Sequence, residues 1–217
     1  MDRFFPKDKL ILTGNPIRKD VQTIEKNNPE AYIHFKLEPG VKTILIIGGS
    51  LGARTINESV AQNLDELIRK KIQVIWQTGK GYYEQAVHEL QQYSKHQVHV
   101  HEFVNRMDLA FSVADLIISR AGAGTISELC VVGKPVILVP SPNVAEDHQT
   151  KNARALVDKN AAVLVKDSEA REKLVSTAIG LLANEARKQE LAVNISKLGR
   201  PAADELIVDE VVKLFKL

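Results

Sequence analysis

Two runs of small residues stand out as places where this sequence could do chemistry. The first is Gly48-Gly49-Ser50-Leu51-Gly52-Ala53-Arg54, and the second is Ser119-Arg120-Ala121-Gly122-Ala123-Gly124-Thr125-Ile126-Ser127-Glu128. Glycine lets a backbone approach an anion closely, and a helix N-terminus offers unpaired N–H groups and a partial positive charge. Ser50 adds a hydroxyl donor. Either run alone also fits a plain strand-to-helix turn that needs glycine for its angles. Two such turns in one sheet can converge on a diphosphate, so the pair says more than either member. The spacing is not G-x-G-x-x-G, and Trp76-Gln77-Thr78 carries no acid for a ribose, which disfavours a nicotinamide dinucleotide. Thr125-x-x-Glu128 admits two readings. It matches a capping box, with Thr125 as N-cap and Glu128 reaching back to its amide, and Glu128 could equally face a ligand. Arg120 reads as a surface residue or as one half of a local pair.

A third cluster, Glu146-Asp147-His148-Gln149-Thr150-Lys151-Asn152, follows Val136-Ile137-Leu138-Val139-Pro140. Its amides and carboxamides could read sugar hydroxyls. It also fits a solvated first turn, with acids favoured by the helix dipole. His101-Glu102-Phe103-Val104-Asn105 can line the same rim through its backbone, with His101 expected as a partly buried structural histidine. The six histidines lack metal-ligand spacing. Cys130 and Trp76 read as core, and Asp167 to Lys173 as a solvated helix face. Phe4-Phe5 reads as a small packing contact or as a surface left exposed where another domain would sit.

These loops need elements to hold them. Val41 to Ile47 is a short, β-branched apolar run that predicts a buried strand, followed by a helix over Ala53 to Arg69. The alternation repeats. Strands are expected at Ile72–Trp76, Val98–His101, Leu116–Ser119, Pro135–Val139 and Ala162–Val165. Helices are expected at Gly81–Gln91, Arg106–Val113, Thr125–Val131 and Asp147–Val157. From Ser168 the chain reads as three helices, broken near Asn184 and near Gly199-Arg200-Pro201. The alternation implies an α/β fold, a doubly wound parallel sheet of Rossmann-like type, with ligands bound beyond the carboxyl ends of the strands.

The first 40 residues differ. They hold Pro6, Pro16, Pro29 and Pro39, half of the eight prolines, and scattered apolar residues. Residues 1–40 are expected as a loop-rich linker or the tail of another domain, with short strands such as Leu10 to Thr13, and residues 41–217 as the folded domain with C-terminal helices.

The chain has 217 residues, 44% hydrophobic and 26% charged, an ordinary globular composition with material for a sizeable core. Its net charge of +2 gives no footprint for nucleic acid. One cysteine excludes an intramolecular disulfide and points to a reducing compartment. No apolar run approaches the roughly 20 residues that span a bilayer, and the start of the chain has no signal-peptide core.

Five motifs together resemble one family. They are Thr13-Gly14-Asn15-Pro16-Ile17-Arg18, the Gly48 to Arg54 run, Glu102-Phe103-Val104-Asn105-Arg106-Met107, the Arg120 to Glu128 run, and Glu146 to Ala153. Their order and spacing are similar to those of the MurG family, the peptidoglycan N-acetylglucosaminyltransferases that make lipid II from lipid I. The resemblance covers nearly the whole chain. It implies a glycosyltransferase of the two-domain GT-B type, of which this chain resembles the C-terminal, donor-binding half. The acceptor site and the general base would belong to an N-terminal domain, so the resemblance implies no catalytic residue here.

Carried residue by residue, the resemblance puts the Val104 backbone on the uracil edge and Glu128 on the ribose hydroxyls. Ser50 and the amides of Ala123, Gly124 and Thr125 would hold the diphosphate. His148 and Gln149 would face the GlcNAc hydroxyls with Asn152 nearby; His148 stands where some relatives have glutamine. Gly49, Phe103 and Arg120 join the same UDP-GlcNAc set, and Arg18 is placed near the cleft. The resemblance further implies no metal or other cofactor, lipid I as acceptor through the other domain, and a peripheral position on the cytoplasmic face of the membrane. No polybasic patch is visible in residues 1–40. Rival expectations are the donor subunit of a split glycosyltransferase, a UDP-GlcNAc 2-epimerase-like isomerase, and a nucleotide-binding regulatory module.

Overall fold

The computed structural model describes residues 6–49, 51–93, 97–144 and 147–215. The apolar runs form six strands: β1 (Thr43–Ile47), β2 (Gln73–Gln77), β3 (Val98–His101), β4 (Leu116–Ser119), β5 (Val136–Leu138) and β6 (Val163–Leu164). All neighbours pair in parallel, in the order β3-β2-β1-β4-β5-β6. Helices α1 (Lys19–Gln22) and α2 (Pro29–Phe35) precede β1. Between the strands run α3 (Arg54–Gln62), α4 (Leu64–Arg69), α5 (Tyr83–Leu90), α6 (Met107–Val113), α7 (Ala123–Val132) and α8 (His148–Val157). The chain ends in α9 (Ala170–Ala183), α10 (Glu185–Ser196) and α11 (Ala203–Phe215).

The strands divide their side chains between two cores because successive residues face opposite ways. Ile44, Ile46, Val74, Trp76, Leu116 and Ile118 meet helices α3, α4, α5 and α9. Leu45, Ile47, Ile75, Ile117, Val136 and Leu138 meet α2, α6, α7 and α8. Burial on both faces explains why β1, β4 and β5 read as apolar runs, whereas the half-buried edge strand β3, Val98-His99-Val100-His101, alternates. Trp76 is fully buried and its indole donates to Asn57 Oδ1 at 3.0 Å; the Asn57 amide donates to the Thr78 carbonyl at 2.8 Å. These bonds fasten α3 to the carboxyl end of β2. The strand order reverses between β1 and β4, and this is the switch point where such sheets leave a crevice.

The structure corrects three local expectations. Leu10 to Thr13 forms no strand. Ile11 and Leu12 are exposed, and the Leu12 carbonyl accepts from Arg200 Nη1 at 2.9 Å instead of a strand ladder. The helix expected over Ala53 to Arg69 breaks at Asn63, whose amide turns back to the Ser59 carbonyl at 2.8 Å and so competes with helix continuation. Residues 19–37 contain two helices rather than loops alone, and Val21, Ala31, Phe35 and Leu37 lie in the same apolar cluster as β1 and β4. Phe4-Phe5 lies outside the described residues. Among the described residues, no helix is long and apolar enough to cross a membrane.

Candidate functional site

A cleft of about 730 Å³ opens at the carboxyl ends of β1 and β4, and both glycine-rich turns line it. Two helices begin there. Helix α3 starts after Ala53 and α7 after Gly122, and neither has a side-chain cap or an acidic residue in its first turn. Their N-terminal amides and dipoles are therefore left to whatever occupies the cleft. Backbone crowding explains the glycines of the first turn. A Cβ on Gly52 would lie 2.1 Å from the Thr78 carbonyl oxygen, and one on Gly48 would lie 2.5 Å from the Ala53 nitrogen.

The second turn departs from a capping box. Gly122 is the N-cap of α7, so Thr125 lies within its first turn and Glu128 within the second. Glu128 lines the cleft rim and accepts a long bond from Arg18 Nε at 3.4 Å. Asn15, on the same leading segment, donates to Ser127 Oγ at 2.9 Å. The stretch from Asn15 to Arg18 thus docks on α7 and brings a guanidinium to the rim.

Arg120 is neither a surface residue nor paired to a sequence neighbour. Its guanidinium forms an ion pair with Asp167 and donates to the carbonyls of Val139 at 3.0 Å and Pro140 at 3.2 Å. The second Asp167 oxygen accepts from Thr55 Oγ1, in the first turn of α3, at 3.0 Å. Asp167 is therefore part of the cleft, which corrects its reading as solvated helix face. At the outer rim Arg54 donates to Glu58 at 2.7 Å, and Arg54 with Arg171 holds the Glu58 carboxyl below its ordinary range.

The third cluster supports the second turn. Gln149 Oε1 accepts from the amides of Ala121 at 3.2 Å and Ser141 at 2.9 Å, which leaves its NH2 group as the remaining donor. Asn152 donates to the Ala121 carbonyl at 3.1 Å.

The cleft therefore gathers Arg18, Gly49, Phe103, Val104, Arg120, Thr125, Glu128 and Gln149 along its walls. Ala123 and Gly124 sit exposed at the α7 N-terminus beside it. Asn152 stands behind the Ala121 loop, and His148 opens α8; neither lines the cleft. Ser50 and Glu146 lie outside the described residues. The Val104 N–H is already used, donating to Gln77 Oε1 at 2.9 Å. Asp167 and Gln77 are two polar wall residues that sequence reasoning missed, beside Thr55 and residues 141–143. Both follow directly from the strand-end rule: Gln77 ends β2, and Asp167 follows β6 by a few residues. Among the described residues, no group of three His, Cys, Asp or Glu side chains is arranged to hold a metal ion.

Elsewhere the core readings hold. Cys130 is buried, and burial pushes its thiol up to about 11. His101 is half-buried against Phe35, its Nε2 has no partner, and burial holds it below the ordinary histidine range.

Comparison with known proteins gives this geometry a family. Residues 43–207 match the glycosyltransferase family 28 C-terminal domain. The chain is 52% identical over 214 residues to the UDP-N-acetylglucosamine--N-acetylmuramyl-(pentapeptide) pyrophosphoryl-undecaprenol N-acetylglucosamine transferase of Parabacteroides distasonis; the match covers 99% of this chain and 58% of that protein. The crystal structure of Acinetobacter baumannii MurG superposes with a TM-score of 0.73 at 29% identity, covering 89% of this chain and 55% of the other. A UDP-N-acetylglucosamine 2-epimerase shares the fold, with a TM-score of 0.65 at 19% identity over 99% of this chain and 54% of that one. The chain spans somewhat more than half the length of the curated relatives it matches.

Proposed function

The chain belongs to the glycosyltransferase family 28 C-terminal domain family, and from this premise we propose that it binds UDP-GlcNAc as the donor half of an inverting N-acetylglucosaminyltransferase. The observation that carries the reading is the convergence of two uncapped, acid-free helix N-termini on one cleft whose rim holds Glu128.

In this reading the diphosphate lies between the first turns of α3 and α7, met by the amides of Ala123, Gly124 and Thr125 and by Ser50. Glu128 accepts from both ribose hydroxyls, and Arg18 holds it toward them. The uracil lies against the Phe103–Val104 loop. With the Val104 N–H committed to Gln77, the Val104 carbonyl suits the N3–H of the base. The Gln149 NH2 group, oriented by the two amides that fill its oxygen, is the sugar-facing donor.

The proposed reaction is a displacement at C1 of GlcNAc. The C4 hydroxyl of the MurNAc unit of lipid I attacks, the bond from C1 to the β-phosphate oxygen breaks, and UDP leaves. The hydroxyl proton passes to a base in the part of the relatives that this chain does not span. Charge builds on the β-phosphate as the bond breaks. Fixed amides at two helix N-termini stabilise that charge without solvent rearrangement and without a metal. Loss of one such donor costs about 3 kcal/mol of transition-state stabilisation by analogy with oxyanion holes. Lipid I implies that the longer protein works at the cytoplasmic face of the membrane, with its acceptor contacts in the same unspanned part.

Isothermal titration with UDP-GlcNAc, UDP and UDP-glucose tests the reading. Saturable binding that favours UDP-GlcNAc is expected, with no lipid II formed by this chain alone. A folded chain that binds none of the three, or one that makes lipid II unaided, contradicts it. The likeness to the 2-epimerase stays at the level of fold and favours no isomerase reading.

A further inference from the structure

We propose that Gln77 is a positioning residue that couples the base-binding loop to the diphosphate-binding loop, an inference that rests on the donor-site reading above. Gln77 ends the strand between β1 and β3, in register with Ile47 on one side and His101 on the other. Those are the last residues of the two strands whose loops form the diphosphate and base walls of the cleft. The side chain is buried, with 2% of the residue exposed. Its carboxamide spans the gap: Nε2 donates to the Gly49 carbonyl at 3.1 Å, and Oε1 accepts from the Val104 N–H at 2.9 Å.

The Gly49 end is fixed further. The Gly49 carbonyl also accepts from the Gly52 N–H at 3.1 Å, so its two lone pairs are filled by the turn and by Gln77. Gly49 has φ +81, a left-handed conformation for which a glycine is suited, although a Cβ there would meet nothing within 4 Å. The turn is thus conformationally demanding and is held from below by one buried amide. A carboxamide presents a donor and an acceptor on one rigid plane at this reach at any pH, whereas a carboxyl does so only when protonated. Glutamate would set a second acceptor against the Gly49 carbonyl, and methionine would offer neither bond. Gln77 therefore fixes the separation of the two loops before ligand arrives. A ligand that touches both loops gains from that pre-organisation; a ligand that touches one gains little.

The test compares UDP, which spans both loops, with uridine, which reaches only the base and ribose contacts. In Gln77→Met, UDP affinity is expected to fall at least about tenfold while uridine falls less than about twofold. Hydrogen exchange of the Val104 amide should quicken in the same variant, because its acceptor is gone. In Gln77→Glu, a protonated carboxyl restores both bonds, its O–H donating to Gly49 and its C=O accepting from Val104. UDP affinity relative to the unsubstituted chain at the same pH should therefore recover between about pH 8 and about pH 5. If the methionine variant does not unfold cooperatively, the glutamate profile carries the test. Equal losses for UDP and uridine, unchanged Val104 exchange, or a glutamate variant whose UDP affinity stays low down to about pH 5 overturns the coupling while leaving the donor site in place. Absence of saturable UDP binding by the unsubstituted chain overturns the donor-site reading and this inference with it.

Discussion

Arg120 and Asp167 are 47 residues apart in sequence and form an ion pair on the cleft wall, with side chains only 15% and 17% exposed. Because Asp167 also accepts from Thr55, one carboxylate joins the loop before α7 to the first turn of α3. The two helix N-termini that face the cleft are thereby held at one spacing.

Asp167→Ala removes this bridge and leaves a mostly buried guanidinium with backbone carbonyls alone. The expected cost is about 2 kcal/mol, between that of a surface pair and that of a fully buried one. In a chain of this size that lowers Tm by about 4–8 °C. Thermal unfolding with and without UDP checks it: a phosphate ligand near the freed Arg120 should raise the variant's Tm by more than it raises the parent's. An unchanged Tm means the bridge carries no stability.

Glu128→Ala addresses the ribose. A carboxylate accepting from ribose hydroxyls contributes about 1.5–3 kcal/mol, so UDP should bind roughly ten- to a hundredfold more weakly. The advantage of UDP over its 2′-deoxy counterpart should shrink in the variant. If that advantage is undiminished, Glu128 does not touch the ribose hydroxyls.

In the donor-site reading, the N-termini of α3 and α7 stabilise the charge without a cation. UDP affinity should change by less than about twofold when a chelator replaces added magnesium, since the helix termini supply the partial charge. A strong magnesium requirement would falsify the metal-free reading of the diphosphate site.

His101 gives the fold a pH dependence. Burial, and secondarily His34, holds its folded pKa below the ordinary 6.5. The unfolded chain therefore binds the proton more readily. His101's contribution to stability is fully present above the unfolded value and is lost as pH falls from about 6.5 through the lower folded value. Urea midpoints measured between about pH 7.5 and pH 5 should drop less steeply in His101→Phe than in the parent. Parallel profiles would assign the acid sensitivity to other groups.

Much of the fold was legible because hydrophobic burial is written locally. Six apolar runs, each followed by a helix pattern, predict a doubly wound parallel sheet, and all six strands appear within a residue or two of their expected places. Local signals failed where a neighbour in space competed with one in sequence. Thr125 and Glu128 have capping-box spacing, yet the chain leaves β4 so that α7 begins at Ala123, and Glu128 meets Arg18 at the cleft rim instead. Leu10 to Thr13 has strand-like residues, but Arg200 and not another strand meets its backbone.

The sequence by itself determined the sheet and the two glycine turns at its carboxyl edge, while its resemblance to a family supplied the candidate ligand contacts. These depend on periodicity, glycine's backbone freedom and motif order, all readable along the chain. Only the tertiary structure decided how those contacts are held. Arg18 reaches Glu128 across 110 positions, Asp167 closes onto Arg120 and Thr55, and Gln77 bridges Gly49 and Val104. Such bonds join residues whose nearness is set by strand order and crossover, and no local spacing encodes them.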